Sequence, residues 1–88
     1  MLVRYQRAAG VVWRQAYGSL FVLPESGRDV VVLTGTGEDL WWLLAEPTTI
    51  DQATRSLAEK YGVPEATVTR DLVPVVDDLT ARGVLERG

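Results

Sequence analysis

The spacing of the apolar residues changes at about residue 36. Before that point, two β-rich runs, Val11–Tyr17 and Gly18–Pro24, follow one another. Gly18 and Ser19 are turn formers, so the two runs predict a β-hairpin. A third short run, Asp29–Leu33, predicts another strand, and beyond it apolar residues recur every three or four positions. Strands followed by helices indicate an α+β fold, with a three-stranded antiparallel sheet followed by three helices.

Residues that typically begin or end helices flank each of the three helical segments. They are Thr36 and Pro47 for the first, Thr49, Gln52 and Gly62 for the second, and Pro64 and Gly83 for the third. Thr36 is predicted as an N-cap. Pro74 falls inside the third helix, where it has no N–H for the carbonyl of Arg70, and this predicts a kink. Adjacent helical residues point about 100° apart, so one of Trp41 and Trp42 is expected in the core, and the other is either partly exposed, as at an interface, or serves packing as well.

The composition points away from catalysis. The chain has 88 residues, which predicts one domain over residues 1–88, with residues 1–9 as a flexible or strand-covering N-terminus. It contains neither cysteine nor histidine. These absences exclude disulfides, thiolate ligands, cysteine nucleophiles and the commonest general base. We therefore expect no enzyme activity, no metal site and no cofactor.

Charge and hydropathy restrict the partners. No apolar run approaches the roughly 18 residues of a membrane span, and the N-terminus lacks the apolar segment of a signal peptide, so a cytoplasmic protein without membrane contact is expected. Residues 1–28 carry a net charge of +3 and residues 29–88 a net charge of −6. An acidic helical half disfavours nucleic acid and suits a basic peptide.

The Gly35-Thr36-Gly37 turn looks at first like a phosphate-binding loop. It lacks the lysine of a P-loop and the third glycine of a dinucleotide-binding turn. Glu38 and Asp39 follow it and would repel a phosphate. The segment is therefore predicted to be a structural turn.

The strand Asp29–Leu33 carries no lysine, proline or other guard between Val30 and Leu33. If it lies at an edge, its free N–H and C=O groups suit the addition of a peptide strand. The alternative is an edge covered by the N-terminal segment Leu2–Arg7. The acidic residues of the third helix, Asp71, Asp77 and Asp78, fit either a solvated face or a rim that pairs with basic peptide residues.

Three stretches carry a resemblance to a known family. They are VVVLTGTGEDLWWLL, TIDQATRSLAEKYGV and VTRDLVPVVDDLTARGVL, and their order and spacing over about residues 11–86 resemble the PqqD-like family. Its members are the precursor-peptide recognition elements of ribosomal natural-product (RiPP) pathways. The resemblance implies a winged-helix-like fold and is strongest to the stand-alone leader-binding proteins of lasso-peptide clusters. Pro74 departs from the family pattern and leaves the shape of the neighbouring groove open.

The resemblance also implies a function. A precursor leader peptide would add to the third strand, beside the third helix, and pass to a separate leader peptidase of the transglutaminase-like cysteine protease type, with a cyclase acting afterwards. The peptide-binding residues implied are Asp29, Val30, Val31, Val32, Leu33, Val68, Asp71, Leu72, Val75, Val76 and Asp78. The alternative is a winged-helix DNA-binding regulator. That alternative requires a basic recognition helix, whereas the third helical segment offers two arginines against four acids.

Overall fold

The computed structural model describes residues 3–25, 27 and 29–88. Within these ranges the chain forms six strands and three helices. In chain order they are β1 (Arg4–Arg7), β2 (Val12–Ala16), β3 (Ser19–Leu23), β4 (Val31–Leu33), α1 (Thr36–Leu43), β5 (Thr48–Thr49), α2 (Ile50–Tyr61), α3 (Glu65–Ala81) and β6 (Leu85–Arg87). The predicted α+β fold with three helices is confirmed.

The predicted sheet is present as an antiparallel sheet in the order β2-β3-β4. Ala16 pairs with Ser19, so the hairpin loop consists of Tyr17 and Gly18 rather than Gly18 and Ser19. Both loop residues have positive φ, 55° and 74°, as the tight turns that match strand twist require. β4 is shorter than predicted because Asp29 and Val30 precede its first paired residue.

A second antiparallel sheet, in the order β5-β1-β6, was not predicted. β1 pairs with β5 through Arg4 and Tyr5, and with β6 through Tyr5, Gln6 and Arg7. Residues 4–7 therefore lie in this sheet and do not cover β4. The alternative in which the N-terminal segment covers the edge is wrong for the described residues, and Leu2 lies outside them.

The core is formed by residues of both sheets and of the three helices. Its almost fully buried members come from both halves of the chain: Leu20, Val22, Leu40, Trp41, Leu44, Leu72, Val76, Val84 and Leu85. Trp41 is 1% exposed and Trp42 is 41% exposed. The expectation that the two tryptophans divide between core and surface is confirmed.

The helix ends follow the predicted chemistry at α2 but not at α1. Thr49 and Gln52 form a reciprocal capping box with two contacts of 3.1 Å, and Gly62 ends the helix in the left-handed region. At α1 the N-cap is Gly35, at φ 55°, without a side-chain cap. The prediction that Thr36 is the cap is wrong, because the glycine turns the chain sharply enough for Thr36 to be helical already.

Arg7 connects the second sheet to α1. Its guanidinium donates two hydrogen bonds, of 3.1 and 2.9 Å, to the carbonyl of Trp41 near the end of that helix. It also lies 4.3 Å from the centroid of the Trp41 ring, with Trp13 and Trp42 at 5.4 and 5.6 Å. Burial lowers the pKa of Arg7 from its ordinary value. The arginine thus satisfies a helix-end carbonyl and packs on three indole rings.

We expect Arg7→Ala to lower the free energy of unfolding by about 2 kcal/mol, because charged hydrogen bonds and cation–π contacts are lost together. Urea denaturation measures the change. Arg82→Ala is the matched control, since its ion pair with Asp78 is exposed and contributes less than about 1 kcal/mol. Equal effects of the two substitutions would contradict the role given to Arg7.

α3 runs from Glu65 to Ala81 with Pro74 inside it. The α-helix continues without interruption through the proline, and the proline itself is exposed. Its ring cannot donate to the carbonyl of Arg70, and it crowds that carbonyl as well. The packing of the buried face of α3 therefore stabilises the helix at a position where Pro74 disfavours helical structure.

Replacing this proline should stabilise the fold. We expect Pro74→Ala to raise the free energy of unfolding by about 2–3 kcal/mol, since it restores a helical hydrogen bond while adding some freedom to the unfolded chain. Thermal and urea unfolding both measure this. A stability equal to or below that of the wild type would show that the ring makes packing contacts that outweigh the lost hydrogen bond.

Candidate functional site

A groove of about 470 Å³ lies between β4 and α3. The β4 side and the turn after it form one wall, and the C-terminal half of α3 forms the other. The lining residues are Val30, Val31, Val32, Leu33, Thr34, Gly37, Pro74, Val75, Asp78, Leu79 and Arg82. The family resemblance predicted that the third strand and the third helix would lie side by side. The structure shows them as the two walls of one groove.

The side chains of β4 alternate between the core and the surface. Val31 and Leu33 stand opposite Val22 and Leu20 of β3 and turn toward the core. Val32 stands opposite Phe21, on the outer face of the sheet, and is 53% exposed. The wall of the groove is thus apolar along its length, while its backbone remains at the surface.

β4 is an edge strand. The sheet order ends at β4, and in the described ranges its backbone pairs with β3 and with no other strand. In an antiparallel pair, consecutive residues direct their N–H and C=O groups alternately toward the partner and away from it. The outward groups of β4 face the groove, where they are available to an added strand.

The α3 wall consists of residues one helical turn apart. Pro74, Asp78 and Arg82 follow one another at intervals of four, and Val75 and Leu79 form a parallel row. The Arg82 side chain donates to the Asp78 carboxylate at 3.0 Å. Both side chains are more than half exposed, so the pair adds little stability, but it neutralises the acid within the groove.

The structure brings together six of the eleven predicted site residues and separates the other five. Val30, Val31, Val32, Leu33, Val75 and Asp78 line the groove. Asp29 precedes β4 and is exposed outside the lining, while Leu72 and Val76 lie in the core with no more than 1% exposure. Val68 and Asp71 line a second cavity of about 540 Å³, with Gly35, Thr36, Leu57, Tyr61, Val63 and Thr67.

Five groove residues were not predicted: Thr34, Gly37, Pro74, Leu79 and Arg82. Three of them could have been predicted from the sequence spacing, because Pro74, Leu79 and Arg82 lie within one turn of the predicted Val75 and Asp78 on the same helix face. What the sequence did not reveal was which flank of α3 turns toward β4. Packing decides this, since the opposite flank is buried in the core.

The groove offers binding groups rather than reactive ones. It provides an open strand backbone, an apolar floor and one ion pair. Across the described residues, no cluster of three or more His, Cys, Asp or Glu side chains is placed to hold a metal ion. Among the helices that the structure describes, none has the length and hydropathy of a membrane span. Such a site is suited to an extended peptide.

These features define a winged-helix-like α+β domain in which, over the described residues, the open edge of β4 lies beside α3. The family described as Coenzyme PQQ synthesis protein D (PqqD) matches residues 19–85. The chain therefore belongs to the PqqD family, and the resemblance predicted from the sequence is confirmed.

A solved structure described as TbiB1 in complex with the TbiA(beta) leader peptide has a similar fold. The match covers 92% of this chain and 94% of that chain, with a TM-score of 0.82 and 23% sequence identity. At this identity the likeness concerns the fold. No curated protein sequence matches the chain significantly.

Proposed function

We propose that this protein binds the leader segment of a ribosomally made precursor peptide by strand addition to β4. The observation that carries the proposal is the open edge of β4 facing α3 across a groove whose walls combine apolar side chains with the Asp78–Arg82 pair. Membership of the PqqD family supports it, as does a similar fold in a protein whose structure contains a leader peptide.

The dimensions of the edge suit a short peptide strand. Val30–Leu33 spans four residues, or about 13 Å at the usual rise of a strand. Backbone hydrogen bonds to this edge would supply affinity with little dependence on sequence. Every second side chain of the added strand would point toward Val75 and Leu79 and supply specificity.

Charge contributes less than the sequence suggested. Asp78 lies in the groove but is paired with Arg82, and Asp71 lies at the second cavity. A basic leader residue would therefore meet one neutralised acid in the groove. Contacts of the leader with Val68, Asp71 and Asp29 remain predictions that require the peptide to extend beyond the ends of β4.

The protein's role would be non-catalytic. The bound leader would be presented to a separate leader peptidase, of the transglutaminase-like cysteine protease type, and a cyclase would act on the released core. A lasso peptide is the proposed product class. The chain lacks cysteine and histidine, so it brings no nucleophile of the peptidase type of its own.

The DNA-binding alternative lacks support from the helix it would need. Arg70 lies 3.7 Å from Asp71, and Arg82 lies 3.0 Å from Asp78. Arginines that sit beside carboxylates in an acidic helix are poorly suited to contact phosphates.

Proline substitutions test strand addition at β4. Of Val31→Pro and Val32→Pro, one removes an outward N–H and the other removes an N–H that bonds to β3, because these groups alternate. We expect the variant that loses the outward N–H to keep the circular dichroism of the native fold and to lose leader binding in calorimetric titration. The variant that loses the N–H bonded to β3 should lose stability as well as binding. If both variants fold natively and bind the leader with wild-type affinity, the proposal is wrong.

A pair of valine truncations tests the floor of the groove. Val75→Ala should weaken leader binding by about 1 kcal/mol, since two carbons are removed from the apolar contact. Val63→Ala is the matched control, because Val63 lies at the second cavity and outside the groove. Calorimetry on both variants measures the difference. If Val63→Ala is the more damaging, the leader occupies the second cavity instead.

A further inference from the structure

Pro74 is exposed on the groove wall in the middle of α3. A proline in a helix interior opposes folding by about 3 kcal/mol. Its consequence for the backbone is specific, because the carbonyl of Arg70 loses the N–H that would bond to it in a regular helix. Residues four apart lie on the same side of a helix, so this acceptor is expected on the side of α3 that carries Pro74, the first residue of the helix to line the groove.

A strand lying between β4 and α3 has two hydrogen-bonding edges. The edge toward β4 pairs with that strand, and the edge away from it meets α3. The N–H groups of this second edge lose contact with water when the groove is filled, and an unpaired buried N–H is costly. A regular helix offers no backbone acceptor along its side, because each interior carbonyl is already bonded within the helix.

On the basis of the proposed function, we propose that Pro74 makes the Arg70 carbonyl a recognition element for the bound peptide. This carbonyl would accept a hydrogen bond from one backbone N–H on the edge of the leader strand that faces α3. Of the polar side chains on the helix wall, Arg82 is a donor and Asp78 shares its carboxylate with Arg82, so the Arg70 carbonyl would be the backbone acceptor without a helical partner on this wall. The leader would thereby be held by backbone hydrogen bonds on both edges.

Pro74 would then be unfavourable for folding and favourable for binding. An alanine at position 74 would close the helical hydrogen bond and occupy the Arg70 carbonyl. The variant would remain folded and would be more stable, so any loss of binding cannot be attributed to unfolding. Stability and affinity are expected to move in opposite directions.

The test combines Pro74→Ala with backbone N-methylation of a synthetic leader peptide, taken from the precursor encoded with this protein. Calorimetry would measure every peptide against wild type, Pro74→Ala and the control Asp77→Ala, an exposed α3 position outside the groove. We expect Pro74→Ala to bind the unmodified peptide about two- to tenfold more weakly, the range of a single hydrogen bond. Asp77→Ala should bind it as the wild type does.

N-methylation identifies the hydrogen bond itself. Methylation of the peptide N–H groups that pair with β4, at alternate positions, should weaken binding to wild type and Pro74→Ala alike. At the intervening positions, whose N–H groups face α3, one methyl group should weaken binding to wild type but not to Pro74→Ala. Identical methylation profiles for the two proteins, or wild-type affinity in Pro74→Ala, would overturn the inference alone. Absence of binding to the wild type would remove the proposed function and this inference with it.

Discussion

The buried face of α3 packs against the core and so fixes the distance between α3 and β4. The groove depends on that distance. Leu72, Val76 and Leu79 are almost completely buried, and Leu33 of β4 belongs to the same cluster. The same packing compensates for Pro74, since burial of one large aliphatic side chain contributes about 1.5–3 kcal/mol, comparable to the cost of the proline. The core thus fixes one flank of the helix and leaves the other free to line the groove.

The second sheet also contributes to this arrangement. β1 and β6 join the two described ends of the chain, and β6 follows α3 after the turn at Gly83. Arg7 extends from β1 to the carbonyl of Trp41, so the first helix is tied to the same sheet. The N-terminal strand is therefore paired elsewhere, and within residues 3–25, 27 and 29–88 no strand covers the outer edge of β4.

Local patterns were sufficient for most of the secondary structure. The hairpin, the third strand and the three helices were predicted because period-two and helical spacings, the capping box at Thr49 and the glycine at position 62 are all local signals. The second sheet was missed because its strands are two to four residues long and one of them, Arg4–Arg7, is mostly polar. Strands this short have no recognisable period, and their pairing joins positions about 45 residues apart in β1–β5 and about 80 apart in β1–β6.

The sequence by itself determined the parts from which the groove is built: an apolar strand without guarding residues and a helix with one apolar stripe, in a chain without cysteine or histidine. Only the tertiary structure decided which flank of α3 faces β4. From the sequence alone, Leu72 and Val76 were as suitable for lining the groove as Val75 and Asp78, because a helix pattern is symmetric about its apolar stripe. The direction from which the rest of the core packs breaks that symmetry, burying the first pair and leaving the second, with Pro74 and Arg82, along the groove.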